Sequence, residues 1–335
     1  MHILAAPDKF RGTATAAQVA EAIAEACTET NSSCTCLPLA DGGEGTLAAM
    51  GGPNMRSAVT GPRGETVAAY WRLDGDLAII EMAEASGLML AGGMTQNDPI
   101  GATSRGTGEL IRLAFELGAA RVIVGVGGSA CTDGGIGAVE ALGDLPALDG
   151  SEGFEVTVAK DVDTLFCQAA RVFGPQKGAT PRQVEKLTGR LESVAELYRT
   201  RYHVDVRDIA GAGAGGGLAG GLAMLGARLE SGFDLVAREL DLAAYLASAD
   251  LVITGEGKLD RSSFRGKVVG GVMRLADNLN VESFVVVGQA QDVDVSGRIF
   301  DLTREFGLDR ALSETTSLIK AVTFQFLVGL DVASS

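Results

Sequence analysis

Histidine is nearly absent from this 335-residue sequence, which contains only His2 and His203. So few imidazoles argue against a Ser-His-Asp hydrolase and against a histidine-rich metal centre. Aromatic residues are also scarce, at 5%, which argues against a platform that stacks nucleic-acid bases. The 28 Lys and Arg residues are outnumbered by 43 Asp and Glu, and the net charge of −15 argues against nucleic acid or an anionic membrane as a partner.

Cysteine is limited to five residues that form no C-x-x-C pair: Cys27, Cys34, Cys36, Cys131 and Cys167. An odd number without such a pair favours a reducing cytoplasm over a disulfide framework. We therefore predict a cytoplasmic protein, in which Cys34 and Cys36 are packed thiols on one face of a strand. We expect no signal peptide, because Met1 leads directly into an apolar strand.

Glycine, in contrast, is abundant and clustered, with 46 residues. Together with the low aromatic content, this favours an α/β protein whose backbone approaches small ligands closely. The length is sufficient for two domains and a sizeable core.

The most glycine-rich motif spans residues 125–138 and reads as strand, turn and helix. Gly127 and Gly128 would let backbone amides approach a ligand, and Ser129, Thr132 and Asp133 supply polar groups. A helix that begins after such a turn favours anions at its unpaired amides. Taken alone, the motif fits a phosphate-contacting turn and a ligand-free strand-to-helix turn equally well, and Asp133 could simply cap the helix.

Charged residues follow the first two predicted strands, which cover residues 2–6 and about 33–39. They are Asp8, Lys9 and Arg11 after the first strand and Asp41 and Glu44 after the second. Ligands of open α/β sheets bind at the carboxyl ends of strands. Carboxylates beside an anion-binding turn suggest Mg²⁺, which takes one or two carboxylates plus substrate phosphates. The alternatives are solvated loops and, above all for Glu44, a helix cap.

A change of pattern near residue 58 predicts a domain boundary. Residues 59–73 and 77–82 alternate apolar and polar residues and predict an antiparallel hairpin. Later apolar strands, at 250–254 and 281–287, resemble the first two and are predicted to rejoin their sheet. We therefore predict one domain from residues 1–58 plus 235–335, with a second α/β domain, residues 59–234, inserted.

Four further groups of residues are candidates. Arg105 lies at the start of a helix that runs to Leu117. This start is either an anion site or an ordinary capped helix start. Asp161 and Asp163 share one face at the end of a strand and could hold a metal, act as acid and base, or only form a turn. Lys177 is predicted to be an exposed lysine in a compact loop, and Glu256 and Lys258 follow the strand at 250–254.

Gly211, Gly213 and Gly216 match the G-x-G-x-x-G pattern of dinucleotide sites, with Asp234 as the matching acid. The segment before them is a poor strand, so a glycine face that packs closely on a neighbour or a ligand explains them better. They lie within the uncharged run 209–227, which approaches the length of a membrane span. Eight of its residues are glycine, and we predict a buried segment of a soluble protein.

Eight motifs in order resemble the bacterial type I glycerate kinases and cover roughly residues 1–290. They are Ala6–Gly12, Pro38–Thr46, Glu81–Leu88, Ser104–Glu109, Gly127–Gly135, Asp161–Asp163, Phe173–Ala179 and Thr254–Asp260. The Walker A motif and the protein-kinase motifs do not occur in the sequence. The chain departs from the family in a shorter segment after Gly143, in Thr164, in Val268-Val269 and in its tail.

The resemblance implies ATP-dependent phosphorylation of D-glycerate with Mg²⁺, with 2-phosphoglycerate expected over 3-phosphoglycerate. It also implies two α/β domains, one of them flavodoxin-like, with the active site in the cleft between them. A non-catalytic sensor that binds a nucleotide or sugar acid is the alternative, and an NAD-dependent oxidoreductase is a weaker one. The oligomeric state stays open, with a homo-oligomer as one option.

On this basis each candidate residue receives an expected role. The candidate catalytic residues are Asp8, Lys9, Asp41 and Glu44, with Asp41 or Asp8 as the proton acceptor. The expected contacts to substrate or phosphate are Arg11, Arg105, Gly127, Gly128, Ser129, Thr132, Asp133, Lys177, Glu256 and Lys258. The expected Mg²⁺ ligands are Asp41, Asp161 and Asp163.

Overall fold

The structure is a computed structural model that describes residues 1–264, 266–293 and 298–333. Its strands, in chain order, are β1 His2–Ala5, β2 Ser33–Cys36, β3 Met55–Thr60, β4 Thr66–Asp74, β5 Leu77–Glu81, β6 Arg121–Gly125, β7 Glu155–Lys160, β8 Arg228–Ser231, β9 Leu251–Leu259, β10 Glu282–Ala290 and β11 Ile299–Asp301.

The α-helices alternate with these strands over much of the chain. They are α1 Ala16–Glu29, α2 Thr46–Ala49, α3 Ala83–Ser86, α4 Arg105–Glu116, α5 Ile136–Leu142, α6 Ala169–Phe173, α7 Pro181–Arg201, α8 Leu218–Met224, α9 Gly232–Glu239, α10 Leu242–Ala247, α11 Val268–Leu279, α12 Leu302–Phe306, α13 Leu308–Ser313 and α14 Thr315–Ala333. Short 3₁₀ helices cover Phe166–Gln168, Pro175–Lys177 and Ala214–Gly217.

Two of the longer helices begin where local chemistry predicts. Thr15 caps α1 in a reciprocal capping box, because its side chain accepts from the Gln18 backbone while the Gln18 side chain accepts from the Thr15 backbone. Thr180 and Gln183 form the same box at α7, where Pro181 occupies the first turn. Both starts therefore follow from residues within four positions of the cap.

The chain forms two compact units, of which unit 1 comprises residues 1–41 and 233–335. Its described strands form one parallel sheet in the order β11-β10-β9-β1-β2. Counted from the β2 edge, the order is that of flavodoxin-like folds, 2-1-3-4-5. The predicted flavodoxin-like sheet is confirmed, as is the return of the two late strands to the sheet of β1.

Helices cover both faces of this sheet. On β10, Phe284 and Val286 pack with the layer that contains α1 and α14, whereas Val285 and Val287 pack against Val269 of α11. This period of two buries alternate residues in opposite layers. The chain moves from β1 through α1 to β2, but from β9 through α11 to β10 in the opposite direction. The strand order therefore reverses between β1 and β9, where ligands of such sheets bind.

Unit 2, residues 42–232, contains a mixed sheet in the order β3-β4-β5-β6-β7-β8. Strands β3 to β5 pair antiparallel, and β5 to β8 pair parallel. The prediction of one strand over 59–73 is wrong, because β3 and β4 are separate strands. Between these two strands, Pro62 cannot donate a backbone hydrogen bond and Gly64 has a φ of +87°. Both residues favour a turn over a continuous strand.

The units divide the chain differently from the predicted boundary near residue 58. Residues 42–58 belong to unit 2, since β3 already starts at Met55 and pairs with β4. The run 209–227 contains the short helix α8 and is largely buried. Within the described residues, no helix combines the length and the apolar character needed to cross a bilayer.

Candidate functional site

Unit 1 contains a cavity of about 360 Å³ at the point where its strand order reverses. The loop after β1 and the end of β9 supply most of its charged lining. The lining carboxylates are Asp8, Asp41, Glu256 and Asp260, and the lining cations are Lys9, Arg11, Lys258 and Lys267. The structure thus brings together six of the predicted site residues: Asp8, Lys9, Arg11, Asp41, Glu256 and Lys258.

Backbone contacts hold Asp8 against β9. Its N–H donates to the Gly255 carbonyl at 2.9 Å, and its carboxylate accepts from the Lys9 N–H at 2.7 Å. Gly257 allows this approach, because a Cβ there would lie 3.1 Å from both the Arg11 nitrogen and the Phe10 Cα. The loop after β1 and the strand β9, which are far apart in sequence, therefore approach each other closely.

The electrostatics of the cavity favour protons on two of its acids. Burial and repulsion from Asp41 raise the pKa of Asp8 to about 6, against the opposing effect of Lys9 and Arg11. Burial, with a contribution from Asp8, raises the pKa of Glu256 to about 7.

Glu256 also has an orphaned atom. The side chain is only 8% exposed, and in the described part of the chain its Oε1 has no hydrogen-bond partner. A buried acceptor without a donor is costly. A cationic or hydrogen-bond-donating ligand in the cavity would relieve that cost.

An apolar surface completes the cavity. Leu308, Ala311 and Leu312 of α13 line it, with Phe10 from the loop after β1. The sequence prediction missed this surface because the tail lacked family motifs. It also gave no role to Lys267, the residue directly before α11.

In unit 2, Asp133 is a structural residue of the glycine-rich turn. Its carboxylate accepts from both the backbone N–H and the hydroxyl of Ser104 at 2.8 Å. It also accepts from the N–H groups of Gly135 and Gly137 at 3.1 and 3.4 Å. The Ser104 hydroxyl in turn accepts from the Ala138 N–H at 3.0 Å. Asp133 therefore ties the turn to the starts of α4 and α5, which favours the capping alternative.

The rest of the turn is packed from both sides. Ala130 N–H donates to the Ser86 carbonyl at 2.9 Å, and Leu88 N–H donates to Gly128 at 2.8 Å. The backbones of Ser129 and Gly87 pair in an isolated antiparallel β-bridge. Such contacts fix the backbone that the sequence predicts to face an anion.

Close approach explains the glycines of the turn. A Cβ on Gly127 would lie 2.7 Å from the Cα of Gly43, so a larger residue could not occupy this position without movement. Gly128 has a φ of +69°, which favours glycine. Thr132 is fully buried, and its hydroxyl has no partner among the residues that the structure describes.

Lys177 is not the exposed lysine that the sequence predicts. It is 3% exposed, and its Nζ donates to the Cys131 carbonyl at 2.6 Å. Burial lowers the pKa of its ammonium, with Asp133 opposing the shift. Asn97 donates to the carbonyls of Lys177 and Ala130 at 2.9 and 3.1 Å, so both side chains support the turn from inside the protein.

The other candidates in unit 2 lie in exposed positions. Arg105 pairs with Glu109 at 3.1 Å on α4. Asp163, 82% exposed, pairs with Lys160 at 2.6 Å. Asp161 and Glu44 are exposed. In neither unit do the described His, Cys, Asp and Glu side chains form a group of three that could hold a metal ion.

Glu81 has a role that the sequence prediction left unassigned. Its carboxylate accepts from the backbone N–H groups of Gly45 and Leu47 at 3.0 and 2.7 Å. These N–H groups belong to the N-cap residue and to the second residue of α2, so Glu81 stabilises the helix start that follows Glu44. The signal in the sequence was the position of Glu81 at the end of a buried strand, where an unpaired carboxylate would be costly.

The G-x-G-x-x-G segment packs against the glycine-rich turn. The structure assigns no strand to residues 203–210, which the dinucleotide interpretation requires. A Cβ on Gly216 would lie 2.1 Å from the Cys131 carbonyl oxygen, and one on Gly217 would lie 2.7 Å from the Gly134 Cα. The close-packing interpretation therefore explains these glycines.

Comparisons with known proteins agree on one family. A model of the glycerate kinase family matches residues 3–152 and 144–325. Glycerate 2-kinase of Escherichia coli K12 is 39% identical and the alignment covers 95% of this chain and 91% of that protein. Glycerate kinase of Haemophilus influenzae is 38% identical, with 96% and 94% covered. The crystal structure of a Salmonella typhimurium LT2 protein assigned as glycerate kinase 2 superposes with a TM-score of 0.83 at 37% identity, covering 100% of this chain and 99% of that one.

Proposed function

Because the chain belongs to the glycerate kinase family, we propose that it transfers the terminal phosphoryl group of ATP to D-glycerate in the presence of Mg²⁺. The family makes it an enzyme that phosphorylates an alcohol group of glycerate. The product that we propose is 2-phosphoglycerate, with ADP as the second product.

The observation that carries this proposal is the charged cavity of unit 1. Phosphoryl transfer needs positioning and neutralisation of charge more than covalent chemistry. Lys9, Arg11, Lys258 and Lys267 surround a space of about 360 Å³ in a chain whose net charge is −15. Because four carboxylates share this lining, the arrangement favours an anionic ligand that arrives with a cation, as a nucleotide does with Mg²⁺.

We assign the proton acceptor to Asp8. It lies at the carboxyl end of β1, is buried, and has one carboxylate oxygen held by the Lys9 N–H. Its other oxygen can accept the proton of the attacking hydroxyl. Lys9 and Arg11, in the same loop, would stabilise the negative charge on the transferred group.

Asp41 is the Mg²⁺ ligand that we propose in unit 1. Its hard oxygen donors fit Mg²⁺, which usually takes one or two carboxylates and completes its shell with phosphate and water oxygens. The repulsion between Asp41 and Asp8 is the kind of strain that a cation relieves. When bound, Mg²⁺ would neutralise charge on the phosphates. Asp161 remains a candidate ligand in unit 2, and Asp163 pairs with Lys160.

In unit 2 we propose that the glycine-rich turn contacts an anionic group of a substrate. The buried hydroxyl of Thr132, which has no partner in the described chain, could donate to such a group. Ser129 and the amides of Gly127 and Gly128 are the neighbouring donors. Asp133 and Lys177 would support the turn instead of contacting the ligand, since both are buried and hydrogen-bonded to protein atoms.

A coupled assay of ADP release tests this function. The purified full chain should form ADP only when ATP, Mg²⁺ and D-glycerate are all present. EDTA should abolish the reaction, and added Mg²⁺ should restore it. Tight binding of ATP and glycerate without ADP formation would contradict the proposal and favour a non-catalytic sensor.

A further inference from the structure

Two half-exposed leucines stand beside the charged cavity. Leu308 and Leu312 are 51% and 54% exposed, and their spacing of four residues places them on one face of α13. Both line the cavity, together with the buried Ala311. We call this surface, made of Leu308, Ala311 and Leu312, the apolar wall.

The apolar wall and the cations line a single space. Lys9, Arg11, Lys258 and Lys267 line the same cavity of about 360 Å³, which is within the size range of small-molecule sites. A ligand that uses all of this lining needs an apolar end and a strongly anionic end. Glycerate is a small polar acid and has no apolar surface for the wall, whereas a nucleoside triphosphate has both ends.

We propose that the purine base of ATP lies on the apolar wall, with its phosphates directed to the four cations. This inference rests on the proposed function, because that function supplies the nucleotide as a substrate. The base covers Leu308 and Leu312 and removes their apolar surface from water, which favours binding. Unit 1 then carries the nucleotide, and α13 contributes affinity for the nucleoside and little for the phosphates.

The test compares a nucleotide with a phosphate chain that has no base. In the full chain, Leu308→Gln and Leu312→Gln are combined, and the dissociation constants of ADP, ATP and inorganic tripolyphosphate are measured by calorimetry. The double variant should bind ADP and ATP about tenfold or more weakly, since half-exposed leucines offer roughly that much apolar contact. Its affinity for tripolyphosphate should stay within about twofold, because the cations are unchanged.

Leu279→Gln is the matched control. Leu279 is 41% exposed near the end of α11 in the same unit but does not line the cavity, so ADP affinity should be unchanged. A variant that no longer folds would lose tripolyphosphate binding as well. In that case the pair Leu308→Ala and Leu312→Ala, which keeps helix propensity, decides by the same comparison.

The outcomes separate this inference from the proposed function. Equal weakening of ADP and tripolyphosphate binding in a variant that folds, or no weakening of ADP binding, would overturn the role of the apolar wall. A wild-type chain that binds no nucleotide would overturn it as well. Wall-dependent binding of ADP by a chain that does not phosphorylate glycerate would support the inference and contradict the function. Normal phosphorylation of glycerate with an unchanged KM for ATP in the double variant would support the proposed function and contradict the role of the apolar wall.

Discussion

Asp8 and Glu256 meet at the point where the strand order of unit 1 reverses, and there burial, with a smaller contribution from the charge of Asp8, raises the pKa of Glu256. Asp8 lies in the loop after β1 and Glu256 lies in the neighbouring strand β9, and the Asp8 N–H donates to the carbonyl of Gly255, the residue before Glu256. Two acids that repel each other beside four cations are poorly satisfied without a ligand. This arrangement is typical of binding and catalytic sites, where stability is given up for function.

Replacing Asp8 by asparagine tests its role as proton acceptor. Asp8→Asn should lower kcat by about 10²- to 10⁴-fold, the usual contribution of a positioned base. Its oxygen can still accept from the Lys9 N–H, so the loop should keep its fold. Steady-state ADP release is the measurement.

Asp250→Asn is the control for this substitution. Asp250 is exposed and accepts from the His2 N–H at 2.6 Å, at the opposite end of the same strands. It should keep the kcat of the wild type. If Asp8→Asn also kept that kcat, Asp8 could not be the proton acceptor.

Glu256 predicts a pH dependence of stability in the absence of ligands. Its pKa is raised from 4.5 to about 7 in the folded protein, so between these values the folded state binds more protons than the unfolded state. The free energy of unfolding therefore falls as the pH rises through this window. Glu256→Gln removes this titration. Between pH 5 and pH 8, the free energy of unfolding should therefore decrease in the variant by roughly 1–3 kcal/mol less than it does in the wild type.

Urea unfolding in EDTA at several pH values measures this difference. Glu282→Gln, on an exposed position of β10, is the control and should follow the wild type at every pH. Parallel stability profiles for wild type and Glu256→Gln would show that the Glu256 carboxyl is not perturbed as the structure indicates.

Asp133 should matter for the stability of unit 2. In Asp133→Asn an amide NH₂ replaces one of the two oxygens that accept from Ser104, Gly135 and Gly137. We expect a loss of about 2–4 kcal/mol, since charge-assisted bonds are broken inside the protein. Asp163→Asn, at an exposed ion pair of the same unit, should cost less than about 0.5 kcal/mol. Equal unfolding midpoints for the two variants would contradict the capping role.

Much of the fold could be predicted from local sequence signals. The capping boxes at Thr15 and Thr180 and the apolar strands of unit 1 depend on residues that are close in sequence. The clustering of Asp8, Asp41 and Glu256 followed from a general rule, because the carboxyl ends of parallel strands meet at one edge of a sheet.

The remainder depends on long-range packing. The sequence around Lys177 looks like a solvated loop, and only the approach of the 131 carbonyl shows that the lysine is buried. Leu308 and Leu312 look like ordinary helix residues until the fold places α13 beside the cavity. The separation of β3 from β4 was missed because the alternating pattern continues on both sides of the turn.

The packing of the glycine-rich turn gives a further prediction. Gly127→Ala places a Cβ 2.7 Å from the Gly43 Cα and 3.1 Å from the Glu44 nitrogen. The backbone must shift, and we expect a loss of about 1–3 kcal/mol. Gly189→Ala in α7 is the opposite case, because its new Cβ meets no atom within 4 Å, and it should stabilise the protein by about 0.5–1 kcal/mol. Calorimetric unfolding should show midpoints that move in opposite directions; a Gly127→Ala midpoint at or above that of the wild type would contradict the close packing.

Phosphorus NMR of the reaction mixture tests the central claim most directly. The full chain is incubated with ATP, Mg²⁺ and D-glycerate, and the coupling of the product phosphorus to the carbon-bound protons identifies the esterified hydroxyl. We predict resonances of ADP and 2-phosphoglycerate in equal amounts, with neither formed by the chain that carries Asp8→Asn on the same time scale. Resonances of ATP alone from folded wild-type protein would contradict the account, and 3-phosphoglycerate as the product would contradict the proposed position of transfer.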